Sequence, residues 1–239
     1  MSKKTIIWDF DGTLALHRGL WSGSMIAALD ALVKGHKINI EHLKPYLQTG
    51  FPWHEPEKSH PELSLPGAWW GKMEKHFMTI FREFGFDEDT SCALAKKTHD
   101  IYVDEKRYEV FPNTIKTLNK LKIDGWRNVI LSNHVPELSQ IVDKLGFSSV
   151  IDECFTSALI GYEKPNIKAF QYVLDYLHHP DCCIMVGDSV TADIHGAESA
   201  GITAILLYTI PLDTTYNYCT TIDEVENTIN NIMSHKSRA

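Results

Sequence analysis

The chain has 239 residues, is 44% hydrophobic and 23% charged, and carries a formal net charge of −8. That length suggests one large domain or two modest ones and can bury a core without covalent or metal staples. The acidic balance weighs against nucleic acid or an anionic membrane surface as partner.

The N-terminal "MSKK" leads straight into a strand-like run, not into the apolar stretch of a signal peptide. No uncharged run approaches the ~18 residues of a membrane span. The five cysteines at 92, 154, 182, 183 and 219 include no C-x-x-C pair. They are expected to be free thiols serving as small core residues in a reducing, cytoplasmic setting.

In chain order, "TIIWDF" (5–10) predicts a buried strand, with Asp9 and Asp11 two residues apart and so on one side of it. Residues 22–36, 68–85 and 88–108 read as helices, with Ile26, Leu29, Leu32 and Val33 as the stripe of the first. The proline-rich 51–67 between them is a loop or ordered crossing. From 113 onward the pattern alternates. Residues 113–125 form a helix with Ile115, Leu118 and Leu121 inward, 128–133 a strand, and 135–147 a helix with Pro136 and Glu137 in its first turn. Next come a strand at 149–157, a helix opened by Pro165 (165–177), a strand at 182–189, a helix at 191–201 closed by Gly201, and a strand at 203–208. An acidic helix at roughly 221–233 precedes a basic tail. Alternation of this kind indicates an α/β fold, a Rossmann-like parallel sheet with helices on both faces. The helical block at 16–107 reads as an inserted cap, with 1–15 and 108–239 as the core.

In such folds ligands collect at the carboxyl ends of the strands. The polar residues expected there are Asp9 and Asp11, Ser132 and Asn133, and Asp188 and Ser189, with Asp193 nearby and Lys164 in "GYEKP" just before a helix. Four carboxylates against one ammonium is more negative charge than a crevice holds unaided, least of all beside a phosphate. A divalent cation relieves this, and an all-oxygen donor set favours Mg²⁺. The cation, Lys164 and a helix N-terminus together imply an anionic substrate.

"DFDGT" (9–13), "LSN" (131–133), "EKP" (163–165) and "GDSVTAD" (187–193) resemble, in order and spacing, the four motifs of the haloacid dehalogenase-like (HAD) phosphohydrolases. The insert resembles the helical C1-type cap of that superfamily, and the resemblance spans nearly the whole chain, pointing to the phosphoglycolate phosphatase-like branch. It implies Asp9 as nucleophile forming an aspartyl-phosphate, and Asp11 as general acid and then base. It implies Thr13 and Ser132, with backbone N–H groups around Gly12 and Asn133, as phosphate donors. Lys164 would neutralise the transferring phosphoryl group. Asp188, the Asp9 carboxylate and the Asp11 carbonyl oxygen would be metal ligands. Asp193 would hold a metal-bound water or orient Lys164.

The presence of Asp11 separates the chain from dehalogenases and phosphonatases and favours phosphoryl transfer to water. A sugar-phosphate mutase is the nearest alternative, and a phosphoacceptor regulator a more distant one. His17 and Arg18 stand where they could meet a second charge on a small phosphorylated metabolite. Trp21, Trp53, Trp69 and Trp70 are expected mainly as core of the insert. His178 and His179 read as structural groups at a helix end. The apolar helices of the insert are compatible with a monomer or a homodimer.

Overall fold

The computed structural model describes residues 4–210 and 216–236. The start of the chain and the last part of the basic tail lie outside the described residues. A six-stranded parallel sheet forms the centre, in the order β5–β4–β1–β6–β7–β8. Its strands are β1 (Lys4–Trp8), β4 (Trp126–Ser132), β5 (Glu153–Thr156), β6 (Cys182–Gly187), β7 (Thr203–Leu207) and β8 (Asn217–Cys219). β1 lies in the middle, with Trp8 opposite Ile130 on one side and Val186 on the other. Ile6, Ile7 and Trp8 are fully buried. Covered on both faces, this strand is apolar throughout, as parallel sheets require.

The helices on the sheet are α5 (Thr114–Ile123), α6 (Leu138–Lys144), α7 (Ser157–Ile160), α8 (Ile167–Tyr176), α9 (Gly196–Ser199) and α10 (Val225–Lys236). The insert after the first strand holds α1 (Leu20–Leu32), α2 (Ile40–Leu43), α3 (Ala68–Glu83) and α4 (Glu88–Tyr102). α3 buries Trp69, Trp70, Met73, Phe77, Ile80 and Phe81, a helical stripe. α4 starts where the Asp87 side chain accepts from Thr90 N at 2.7 Å and buries Ser91, Leu94, Ala95, Thr98 and Tyr102.

Several expected boundaries shift. β1 ends at Trp8, so Asp9 and Asp11 are not adjacent on one strand face. The Phe10 carbonyl accepts from the amides of Thr13, Leu14 and Ala15, and Gly12 takes φ +89°, so the chain turns before strand periodicity reaches Asp11. The helix expected at 88–108 stops at Tyr102. Residues 105–107 make a single tight turn, and β3 (Tyr108–Val110) then pairs antiparallel with β2 (Ala15–His17), two strands too short to signal themselves. Ile115 faces out while Thr114 and Thr117 join Leu118 and Leu121 inside. Pro136 and Glu137 precede α6, and Pro165 precedes α8, whose N-cap is Asn166. The strand expected at 149–157 is only β5. The helix expected at 191–201 begins as a wide, π-type turn over Val190–His195, followed by α9. α10 lies a few residues later than expected.

The insert is fastened to the sheet half at its loop and at α3. His60 N donates to the Gly161 carbonyl (2.8 Å) and Asn166 Nδ2 to the Pro56 carbonyl (2.8 Å). Trp70 Nε1 donates to the Glu137 carboxylate (2.9 and 3.0 Å) while its ring stacks on His99, centroids 3.5 Å apart. Trp69 and Trp70 are buried, and Trp21 and Trp53 are partly buried against the same core. No disulfide forms among the described residues; burial pushes the thiols of Cys154 and Cys183 up to about 12, so they are inert at neutral pH. No helix among the described residues is long and apolar enough to cross a membrane.

Candidate active site

β1 delivers Asp9, whose amide donates to the Val186 carbonyl at 3.0 Å and so continues the sheet ladder past the strand end. Ser132 at the tip of β4 donates its hydroxyl to Asp9 Oδ1 at 2.7 Å, and Lys164 Nζ donates to the same oxygen at 2.8 Å. Lys164 also donates to Asp193 Oδ1 at 2.5 Å, and Asp193 Oδ2 accepts from Ser189 N at 3.0 Å. Asp9, Asp188 and Asp193 bring carboxylate oxygens within 4.8 Å of one another. Four segments far apart in the chain therefore converge on one point at the carboxyl end of the sheet.

The charges are strongly coupled. Burial opposes the Lys164 ammonium, yet Asp193 and Asp9 outweigh it and hold its pKa above the ordinary lysine value. Burial and the neighbouring Asp9 push Asp188 up to about 6. Burial raises Asp193 also, with Lys164 opposing. One ammonium cannot balance three carboxylates in so little water, and the donor set is all oxygen. These residues fit a hard divalent cation. The surrounding backbone is shaped for close approach. A Cβ on Gly12 would stand 2.5 Å from Asp188 Oδ2, and one on Gly187 2.2 Å from Asp193 Oδ2.

The remaining anticipated residues fall into place around this cluster. The Thr13 hydroxyl donates to Asp188 Oδ1 at 3.1 Å. The Gly12 amide donates to the Ala15 carbonyl at 2.8 Å, so the glycine serves the turn. The Asn133 side chain holds the backbone of Lys164, accepting from its N–H (2.7 Å) and donating to its carbonyl (2.8 Å). Lys164 precedes a cis peptide bond to Pro165. Asp11 stands outside the carboxylate cluster. Its Oδ1 accepts from His17 N at 3.3 Å, and His134 Nε2 lies 3.3 Å from its Oδ2.

Arg18 is engaged elsewhere, its exposed guanidinium on Glu109 at 2.9 Å. His17 is only 1% exposed, and burial lowers its pKa to about 4. It is a neutral ring stacked on Tyr102 and does not face a substrate's charge, contrary to the expectation from its position after the first motif. His178 and His179 adopt positive φ at the end of α8, and His179 pairs with Asp175, as suits a structural role.

Beside the cluster lies a cavity of about 350 Å³ between the insert and the sheet. Trp53 and Pro56 line it from the insert, and Asn133, Lys164, Ser189 and Thr191 from the core. Sequence reasoning did not single out His134, which stands beside Asp11, or Tyr102 and Tyr108, whose rings lie against His134. His134 directly follows "LSN", the one local signal available; Tyr102 merely continues the buried stripe of α4.

Comparison with known proteins agrees with this architecture. A glyceraldehyde 3-phosphate phosphatase of Methanothermobacter thermautotrophicus is 28% identical over 208 residues, covering 85% of each chain. A 2-haloacid dehalogenase from Pseudomonas syringae superposes with a TM-score of 0.69 at 18% identity, over 96% of this chain and 99% of the other. YfnB from Bacillus subtilis, whose crystal holds magnesium, gives a TM-score of 0.70 at 18% identity, over 96% and 100%. Residues 3–201 match the haloacid dehalogenase-like hydrolase family, and the chain belongs to it.

Proposed function

We propose that this protein hydrolyses a small phosphomonoester by way of an aspartyl-phosphate on Asp9, with Mg²⁺ as cofactor. The observation that carries the reading is the setting of Asp9: a carboxylate 8% exposed, held in one rotation by Ser132 and Lys164, beside two further acids. Two donors on one oxygen orient the group, as an in-line nucleophile requires. Asp9 attacks phosphorus, the bond from phosphorus to the leaving oxygen breaks, and Asp11 gives that oxygen a proton. Asp11 then takes a proton from water, the water oxygen bonds to phosphorus, and the Asp9–phosphorus bond breaks to release phosphate. Lys164, kept charged by its two acids, balances negative charge on the transferring group, and the Ser132 hydroxyl is within reach of the same oxygens.

Asp9, Asp188 and Asp193 would hold the cation, joined on the family resemblance by the Asp11 carbonyl oxygen. Bound there, Mg²⁺ would offset the negative charge of the nucleophile and of the transferring phosphoryl group. The helical insert is read as the cap, residues 16–107, over the core of 1–15 and 108–239. A cavity of about 350 Å³ with Trp53 on one wall suits a small metabolite. The relative named a glyceraldehyde 3-phosphate phosphatase supports a short phosphorylated carbon chain as substrate class.

The test is turnover of p-nitrophenyl phosphate and of a panel of metabolite phosphates with Mg²⁺, for the parent and Asp9→Asn. The substitution is expected to reduce kcat on every substrate by a factor on the order of 10⁴ or more, with an unchanged thermal midpoint. Appreciable residual turnover removes Asp9 from the nucleophile's role.

A further inference from the structure

Both oxygens of the Asp11 carboxylate face nitrogen. Oδ1 accepts from His17 N at 3.3 Å, and Oδ2 lies 3.3 Å from His134 Nε2. The imidazole takes no part in the reaction as described above, yet it is built into place. Its side chain is fully buried. The residues that end β5 and open α7 clasp its backbone: His134 N donates to Ser157 Oγ at 3.2 Å, and the Thr156 hydroxyl donates to the His134 carbonyl at 2.5 Å. Phe10 meets the ring edge to face, centroids 5.6 Å apart and planes at 87°. Tyr102 and Tyr108 lie against it at 5.9 and 6.1 Å. A ring enclosed in this way is confined to one rotamer, so Nε2 occupies a fixed point.

Which nitrogen carries the proton follows from what each one meets. Nε2 stands 3.3 Å from Asp11 Oδ2 and 3.3 Å from the Tyr108 hydroxyl. Nδ1 is buried and has no hydrogen-bond partner among the described residues. A proton on Nδ1 would bury an N–H without an acceptor and aim the Nε2 lone pair at a carboxylate. A proton on Nε2 meets two oxygens and leaves only a lone pair at Nδ1. The second tautomer suits the site.

We propose that His134 is the positioning residue for Asp11: its Nε2–H donates to Oδ2 and, with His17 N on Oδ1, fixes the plane of the carboxyl group. The inference rests on Asp11 being the general acid. Each carboxylate oxygen has two lone-pair sites, so one hydrogen bond leaves room for the proton passed to the leaving oxygen. A short side chain with two free torsions would otherwise sample orientations that miss that oxygen, and a misplacement of about 1 Å can reduce rate a hundredfold. His134 does not touch the reacting atoms. It acts through Asp11, so its loss affects proton transfer and not attack by Asp9.

The experiment compares kcat/KM on p-nitrophenyl phosphate, whose leaving group needs no proton, with kcat/KM on glycerol phosphate, whose leaving alkoxide does. This ratio reports the steps up to departure of the leaving group, before water enters. His134→Leu, which has no donor, is expected to lose about tenfold on glycerol phosphate and less than about twofold on p-nitrophenyl phosphate. His134→Gln, whose amide can place an N–H near the position of Nε2, is expected to stay within about threefold of the parent on both. Asp11→Asn is expected to show the selectivity of His134→Leu more strongly, and combining the two to cause no further loss on glycerol phosphate. Long-range proton–nitrogen correlation spectra of the parent protein, which depend on no variant's folding, are expected to place a proton on Nε2 of His134. A bare Nε2, equal losses on both substrates for His134→Leu, unchanged turnover of glycerol phosphate, a Gln variant as impaired as the Leu variant, or additive losses in the double variant would overturn the proposal while leaving the role of Asp11 standing. An Asp11→Asn variant without leaving-group selectivity would overturn both.

Discussion

The side-chain amide of Asn133 closes on the backbone of Lys164 from both sides, accepting from its N–H at 2.7 Å and donating to its carbonyl at 2.8 Å. Residue 133 follows a strand tip and residue 164 precedes a helix, so this pair of bonds sets the height at which the lysine stands over Asp9.

Asn133→Ala removes both partners at once. Each buried peptide group left without a hydrogen bond costs about 1–3 kcal/mol, so a lower denaturant midpoint is expected. Because Lys164 is no longer held, kcat is expected to fall by about tenfold to a hundredfold, with a smaller change in KM. Steady-state kinetics beside a urea melt reads both, and a variant stable and fully active would show the clasp to be idle.

Gly12 occupies a position where a side chain has no room. Its φ is +89°, and a Cβ would sit 2.5 Å from Asp188 Oδ2. Gly12→Ala is expected to lose most activity as Asp188 is displaced. Gly125 serves as control, since its φ of +84° imposes a comparable strain of about 1–2 kcal/mol with nothing within 4 Å of an added Cβ. Gly125→Ala should therefore lose stability and keep its turnover. Similar activity losses in both variants would mean that backbone strain alone, not the approach to Asp188, is responsible.

Removal of the cation is expected to abolish phosphatase turnover, and added Mg²⁺ to restore it. Asp188→Ala leaves Asp9 and Asp193 in place and is expected to raise the Mg²⁺ concentration for half-maximal rate by about tenfold or more. A titration of rate against Mg²⁺ for parent and variant gives the answer. Superimposable curves would remove Asp188 from the ligand set.

Glu163 supplies a pH dependence separate from the chemistry. It is 2% exposed, its Oε2 has no hydrogen-bond partner, and burial pushes its pKa from 4.5 up to about 7, with Ser157 and Lys164 opposing. Below about pH 4.5 the group is protonated in both folded and unfolded chains. Between there and about 7 only the unfolded chain releases the proton, so stability falls as pH rises, by about 3 kcal/mol at most. Glu163→Gln is expected to gain thermal stability relative to the parent at pH 8 and to match it near pH 4.5. A parent–variant difference independent of pH would refute this.

Much of the site could be read in advance because each motif lies at a strand tip whose strand is marked by its own apolar run. Asp9, Ser132, Lys164, Asp188 and Asp193 follow from local pattern together with a sheet topology that puts those tips at one end. The environment of Asp11 could not be read in this way. Strand periodicity placed it beside Asp9, whereas the tight turn through Gly12 separates the two and brings Asp11 against His134. The pairing of β2 with β3 was likewise hidden. Three-residue strands carry too little periodicity to signal themselves, and each exists only because the other is present.

By itself the amino-acid sequence determined the alternating elements, the parallel sheet and the order of the acids along it, because backbone hydrogen bonding and burial impose periods of 2 and 3.6 that a one-dimensional pattern records. Only the tertiary structure decided which acids share a centre, that His17 is a buried neutral plate, and that His134 stands against Asp11. Those outcomes depend on side chains distant along the chain competing for the same few cubic ångströms. Close packing resolves that competition only when every element is in place.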